Sequence, residues 1–246
     1  MTTRPPDLSL VLACYNEENI ITDSIGEIFK VLDALRLTSE VIFVDDASHD
    51  GTGRIIDRIV IENSNRDIRK IAHVDNVGRG GAVSDGIRAA RGRFVGFIDL
   101  DLEVKPSYIL PCLVALEQGN DVATAFRVYR AQLGSLHRHV MSLVYGRLVR
   151  WHTAVPIMDT ETGFKFFRRD RILPVLDKVH DQGWFWDTEI MVQAHLAGLR
   201  ITEIPALFER RTDKMSSVRI CRDSVLQFRK LRQLRRVISE SNGSPS

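Results

Sequence analysis

With 246 residues, 44% of them hydrophobic and 27% charged, the chain is long enough to bury a sizeable core and too apolar to be disordered. A formal net charge of +2 excludes a polycation built to coat nucleic acid, although the basic residues thicken after residue 127. Cys14, Cys112 and Cys221 are odd in number and far apart, which excludes a disulfide framework or a cysteine zinc site and fits a reducing compartment.

In chain order, the N-terminal MTTRPPDLSL lacks the apolar run of a secretory signal. LSLVLAC (8–14) predicts a buried strand, and ENIITDSIGEIFKVLDAL after it carries apolar residues at helical spacing. EVIFVDD (40–46) predicts a second strand, with a helix opening near Gly53. KIAHV (70–74) is a third strand, GGAVSDGIRAARG a helix stopped by Gly92, and FVGFI (94–98) a fourth strand. Beyond these, DVATAFRVYR reads as a strand leading to Arg127, and LGSLHRHVMSLVYGRLVRWH as a basic amphipathic helix. GFKFFRRD (163–170) is a strand running into a helix near Arg171, TEIMVQAHLAGL (188–199) a helix and RITEIPALF extended. The stretch 218–237 is helix-like and basic, and SESNGSPS a frayed end. No segment reaches the ~18 apolar residues of a membrane-spanning helix.

Continuously apolar strands alternating with helices predict a mostly parallel sheet covered on both faces, with its ligand at the carboxyl ends of the strands. All four predicted strand ends are polar: CYNEE, DDASHDGT, DNVGRGG and DLDLE. In the last of these, Asp99, Asp101 and Glu103 alternate with apolar residues. Either they cap a turn or they supply oxygen ligands to a hard divalent cation, Mg²⁺ or Mn²⁺.

ACYNEEN, VDDASHDGT, NVGRGGAVSDGI, FIDLDLEVKP and DTETGFKFFRRD occur in the order and spacing of family 2 glycosyltransferases of GT-A type, which the chain resembles over residues 8–217. Within that family it is most similar to the polyprenyl-phosphate sugar transferases. The resemblance implies an α/β GT-A fold, Rossmann-like, with a mostly parallel central sheet flanked by helices. It implies one catalytic domain over 1–217, with a nucleotide-sugar half (8–127) and an acceptor half (128–217), followed by a basic amphipathic helix and tail (218–246).

The same resemblance assigns roles to residues. Asp99 and Asp101 match the DxD motif, and Asp99, Asp101 and Glu103 would hold Mg²⁺ or Mn²⁺, with Asp101 the direct ligand. The cation would neutralise the leaving nucleotide diphosphate. Donor contacts would come from Ala13, Tyr15, Glu17, Val44, Asp45, Asp46, Arg79 and Leu100. Arg127, and Arg211 and Lys214 in FERRTDKMSS, would bind donor phosphate, although Ala13 and Ser217 depart from the family's proline and lysine. Asp50 and Gly51 read as a turn or helix start, and NVGRGGA as a phosphate-facing loop or a close-packing one. Asp187 and Glu189, in GWFWDTE, would serve as base or as orienting groups beside Asp159 and Thr162. Trp184 and Trp186 stack a sugar, touch a membrane or fill the core. His137, His139 and His195 read as structural or surface groups.

The expected reaction is metal-dependent, inverting transfer of a hexose from a UDP- or GDP-sugar to a polyprenyl phosphate. The basic amphipathic stretches suggest an interfacial position at the cytoplasmic face of a membrane, with a separate membrane-anchoring subunit as a possible partner. A rival is transfer to a hydroxyl of a soluble glycan or metabolite, which would need a true base. A nucleotide-sugar-binding regulator would show a degraded metal motif, and a nucleic-acid binder would leave four polar strand ends unexplained.

Overall fold

The computed structural model describes residues 5–129, 147, 151, 155–209, 230–232 and 234. Within them β1 (Leu8–Cys14), α1 (Ile21–Ala34), β2 (Ser39–Asp45), α2 (Thr52–Glu62), β3 (Asp67–Ala72), α3 (Arg79–Ala89) and β4 (Phe94–Ile98) alternate along the chain. They are followed by α4 (Ile109–Glu117), β5 (Val122–Tyr129), β6 (Phe164–Arg168), α5 (Arg169–Leu176), α6 (Trp186–Leu196) and β7 (Ile201–Phe208).

One seven-stranded sheet runs in the order β3-β2-β1-β4-β6-β5-β7. β1 to β4 are mutually parallel and β5 is parallel to β7, while β6 runs antiparallel between β4 and β5. This is the mostly parallel sheet expected, with one reversed strand. Period-2 alternation sends Leu8, Leu10 and Leu12 of β1 into one apolar layer and Val11 into the other. The first layer is closed by α1, α2 and α4, and the second by α3, α5 and α6.

Two elements depart from the apolar reading. The third strand begins at Asp67, three residues before the apolar run KIAHV. It is an edge strand, where charged Asp67, Arg69 and Lys70 are tolerated and no apolar run is needed. α4 carries apolar residues nearly all round, so periodicity gives it no face; its Ile109, Cys112, Leu113 and Leu116 enter the core. β7 holds Pro205 because it lies at the opposite edge, where a missing backbone donor costs no ladder bond on the open side.

Parallel β1 to β4 bring the loops after Cys14, Asp45, Ala72 and Ile98 to one edge. The Ile98↔Phe164 pairing brings the segment before β6, residues 159–163, to that same edge. The strand order reverses between β1 and β4, the place where such sheets open a crevice. Three of the four non-glycine residues with positive φ among those described, Asn16, Ala47 and Leu102, also lie in these loops. Leu102 (φ 52°) is tied down by its buried side chain, which fixes the turn carrying Asp101 and Glu103.

The helix expected over 133–152 lies outside the described residues except at 147 and 151. Of the basic C-terminal stretch only 230–232 and 234 are described. There Leu231 and Leu234 are buried in the layer formed with α3, α5 and α6, and Lys230 pairs with Asp181. Those two leucines are therefore not offered to a membrane.

Candidate active site at the carboxyl edge of the sheet

The acids after β4 sit beside a cation from α3. Arg79 Nε donates to Asp99 Oδ1 at 2.9 Å, and its Nη2 lies 2.8 Å from the same oxygen without hydrogen-bond alignment. Arg79 Nη1 donates to Asp187 Oδ2 at 2.5 Å, and Lys165 Nζ donates to Asp187 Oδ1 at 2.7 Å. Four charges of alternating sign, Asp99, Arg79, Asp187 and Lys165, thus form one chain across β4, α3, α6 and β6. Burial works against the Arg79 cation, but Asp187 and Asp99 more than offset it and hold the guanidinium above its ordinary value. Burial pushes the Asp99 carboxyl up to about 6, with the charges of Asp101 and Asp187 adding to the rise and Arg79 opposing it. Lys165 is fully buried, which lowers its pKa, and Asp187 works the other way.

Glycines make this assembly possible. A Cβ on Gly163 would overlap Asp99 Oδ2, so only glycine lets the 159–163 segment pass over that carboxylate. Gly78 has φ 95°, and a Cβ there would stand 2.5 Å from the Gln182 carbonyl oxygen. The first turn of α3 thus packs against 182–186, and Gly81 N–H donates to Gln182 O at 3.1 Å. NVGRGGA thus shows the close packing that was one of its two readings, with Arg79 projecting from it.

Asp45 and Asp46 close β2. Asp46 is fully engaged: one oxygen accepts from Val77 N–H (2.9 Å) and lies 2.8 Å from His73 Nδ1, and the other accepts from Gly78 N–H (2.9 Å). It therefore anchors the loop that carries Arg79. Asp45 Oδ1 accepts from Ser48 N–H at 3.1 Å, and its other oxygen stands where a Cβ on Gly53 would be 2.8 Å away. Tyr15 is largely exposed, edge-on to His49 at 6.3 Å. Glu17 is tied by its backbone to Thr52, and Asp50 Oδ1 accepts from Thr52 N–H, making Asp50 the start of α2 as expected. The side chains of Val44 and Leu100 are buried in the two core layers, which leaves backbone atoms for any ligand contact. Leu100 O already accepts from Ser24 Oγ at 2.6 Å. Ala13 is partly buried against the second layer.

Arg127, at the end of β5, is held bidentately by Asp159, with Nε and Nη2 at 2.6 and 2.9 Å, and Glu161 lies 3.5 Å away. Burial disfavours its charge, but Asp159 more than compensates. The buried Asp159 is itself raised by burial and lowered further by Arg127, ending below the usual carboxylate range. Glu189 lies apart from this group: its Oε2 accepts from His180 N–H (3.1 Å) and Asp181 N–H (2.8 Å), bracing the α5–α6 loop. Trp186 is core, with its Nε1 donating to Ser84 Oγ at 2.8 Å, whereas Trp184 is exposed. Arg211 and Lys214 lie outside the described residues, as do His137 and His139.

Lys165 and Gly163 were not singled out by sequence reasoning. The signal for Lys165 is a charge set between phenylalanines in the strand FKFFR, which demands a buried counter-ion. For Gly163 no such signal exists, since its role follows from a contact with Asp99 across the sheet.

Among the described residues no three His, Cys, Asp or Glu side chains converge as a metal cage. Mg²⁺ and Mn²⁺ sites that work on phosphates do not require one, since one or two carboxylates suffice with phosphate oxygens completing the shell. One feature of the edge fits such a cation: the turn at Leu102 sets the partly exposed carboxylates of Asp101 and Glu103 beside Asp99.

Residues 9–182 match the sequence profile of Glycosyl transferase family 2. Glycosyltransferase AglD of Haloferax volcanii is 32% identical over 212 residues, covering 84% of this chain and 34% of that protein. A dolichyl-phosphate beta-glucosyltransferase of Homo sapiens is 30% identical over 216 residues, covering 80% of this chain and 65% of that protein. The chain thus spans from about a third to about two thirds of the length of these relatives. Glucosyl-3-phosphoglycerate synthase from Mycobacterium tuberculosis, solved with Mn²⁺, UDP and glucosyl-3-phosphoglycerate, superposes with a TM-score of 0.65 at 18% identity, covering 98% of this chain and 81% of that one. That likeness establishes the fold as the GT-A arrangement. With the profile spanning most of its length and the acids at the carboxyl edge of a GT-A sheet, the chain belongs to glycosyl transferase family 2.

Proposed function

We propose that the chain transfers a hexose, with glucose first in line, from a nucleotide sugar to a polyprenyl phosphate at a membrane surface. The observation that carries the choice of acceptor is the placement of the two candidate bases. Asp187 has one oxygen on Arg79 and the other on Lys165, and Glu189 lies apart from the charge chain with its Oε2 on two backbone amides. A hydroxyl acceptor needs a free base, whereas a phosphate monoester is already an anion at neutral pH and needs none. The names of the dolichyl-phosphate glucosyltransferase relatives support the same acceptor and sugar.

In this reading Tyr15, Glu17 and Asp45 line the nucleoside side of the donor, and Asp101 and Glu103 would hold a divalent cation with the donor's phosphates. When bound, that cation supplies charge neutralisation for the leaving nucleotide diphosphate. Arg79 keeps Asp99 in place and Asp187 keeps Arg79 in place. An acceptor phosphate oxygen forms the new bond to the anomeric carbon as the anomeric carbon–diphosphate bond breaks, with inversion and no net proton transfer. Arg127, released from part of its Asp159 clamp, is a second cation for phosphate, joined by Arg211 and Lys214. Among the described residues no helix is long and apolar enough to cross a membrane. The reading puts the basic residues of 135–151 and 218–237 near anionic lipid on the cytoplasmic face, alone or beside an anchoring subunit, with Leu231 and Leu234 kept in the core.

The test is label transfer from UDP-glucose, with GDP-mannose in parallel, to a short polyprenyl phosphate in detergent with Mn²⁺. Label in the organic phase, abolished by EDTA and by Asp101→Ala, is the expected result. Donor turnover without lipid labelling would sink the acceptor assignment and favour a soluble one.

A further inference from the structure

Between α5 and α6 the chain turns Phe185 and Trp186 into the core and leaves Trp184 outside, 53% exposed. The Arg79 guanidinium carbon lies over the Trp184 ring, 5.1 Å from its centroid. This is the same guanidinium that grips Asp99 and Asp187. Cation–π contact therefore accounts for one side of the indole, and among the described residues the two core clusters do not include it. A single exposed apolar side chain is ordinary; what sets Trp184 apart is its place against the guanidinium that holds Asp99 and Asp187.

The loop that presents it is braced at every step. Glu189 accepts from His180 and Asp181, Gly183 N–H donates to Asp181 Oδ1 at 2.7 Å, and Gln182 O accepts from Gly81. Lys230 pairs with the other oxygen of Asp181. A large, flat, apolar side chain is thus held in a fixed place before any ligand arrives, which lowers the cost of binding.

We propose that the open side of Trp184 is the platform on which the hexose ring of the donor lies. The inference rests on the donor reading above and adds where the sugar goes. Tyr15 and Asp45 stand at the ends of β1 and β2 and the acids after β4, and Trp184 lies against Arg79, the side chain that holds Asp99. A nucleotide sugar with its diphosphate at the acids has its hexose within reach of the ring that packs on Arg79. Pyranose rings present a face of C–H groups that packs on an aromatic surface, with the hydroxyls at the rim free for polar partners. An isoprenoid chain would also pack on indole, but the tie of Trp184 through Arg79 is to Asp99, among the acids that would meet the donor.

Binding of UDP and of UDP-glucose to the full chain with Mn²⁺, measured by calorimetry, separates the possibilities; GDP and GDP-mannose serve if the uridine pair does not bind. Trp184 is exposed, so the Trp184→Ala and Trp184→Phe proteins fold. For Trp184→Ala we expect UDP-glucose affinity to fall about tenfold and UDP affinity to stay within about twofold, with Trp184→Phe between the two. Equal losses for both ligands would mean that Trp184 only steadies Arg79, and no loss for either would mean that it touches no donor. Unchanged donor binding with a raised KM for polyprenyl phosphate would give the ring to the lipid; each of these three overturns the platform alone. Wild-type protein that binds none of the four ligands overturns the donor reading and the platform together.

Discussion

Replacing Asp187 with asparagine keeps its shape and removes the one negative charge between Arg79 and Lys165. The carboxylate is 1% exposed and accepts from both cations at 2.5 and 2.7 Å. Breaking a buried ion pair by deleting one partner costs about 3–5 kcal/mol, because the stranded charge stays desolvated. Lys165 sets a ceiling on that cost, since it can escape by losing its proton. Deprotonating a lysine of ordinary pKa about 10.4 at pH 7 costs about 4.6 kcal/mol. At roughly 2 °C per kcal/mol for a chain of this length, Tm should fall by about 6–10 °C.

The pH dependence has a definite sign. In Asp187→Asn the folded state holds Lys165 neutral while the unfolded state binds its proton, so stability rises with pH up to the unfolded lysine value. The Tm gap to wild type should narrow by about 2–3 °C per pH unit between pH 7 and 9, read by scanning calorimetry. A gap below about 3 °C, or one that does not narrow, would refute the buried pair. Wild-type-like transfer by this variant after correction for the folded fraction would confirm that Asp187 is no base, while complete loss with donor binding intact would restore the hydroxyl-acceptor rival.

At the opposite edge of the sheet, Glu40 is fully buried, with hydrogen bonds from Ser9, Arg69 and Arg91. Burial pushes its carboxyl up, but those bonds win and leave it below the ordinary glutamate value. Its contribution is therefore full above about pH 4.3 and lost as pH falls through the lower folded value. Glu40→Gln should cost about 3 kcal/mol at pH 6, with the Tm difference shrinking toward pH 3. Gly26 lies inside α1, and a Cβ there would meet nothing within 4 Å, so Gly26→Ala should stabilise the fold by about 1 kcal/mol and raise Tm by about 2 °C. Gly163→Ala pushes Asp99 aside, and kcat/KM should fall about 100-fold while donor-free Tm moves by only a few degrees. Unimpaired transfer in that variant would separate Asp99 from the reaction.

Much of this molecule is written in local patterns. Leu8–Cys14 and Phe94–Ile98 form strands over the ranges that their apolar runs predict, because buried parallel strands need apolar side chains on both faces. The polar strand ends converge because parallel pairing makes them do so, and that much is legible from element order alone. The charged start of the edge strand at Asp67 and the all-round apolar α4 escaped notice, since one is specified by position in the sheet and the other has no polar face to set its period. What tertiary structure alone decided is who neutralises whom. Asp46 reads as a donor-facing acid and also holds the 73–78 loop, Asp187 reads as a base or an orienting group and lies between two cations, and Lys165, a charge inside β6, proves to be the partner of Asp187. A charge in sequence has no partner until folding brings residues 22 or 108 positions apart within hydrogen-bond distance, and in a desolvated interior that partner determines what chemistry the group has left.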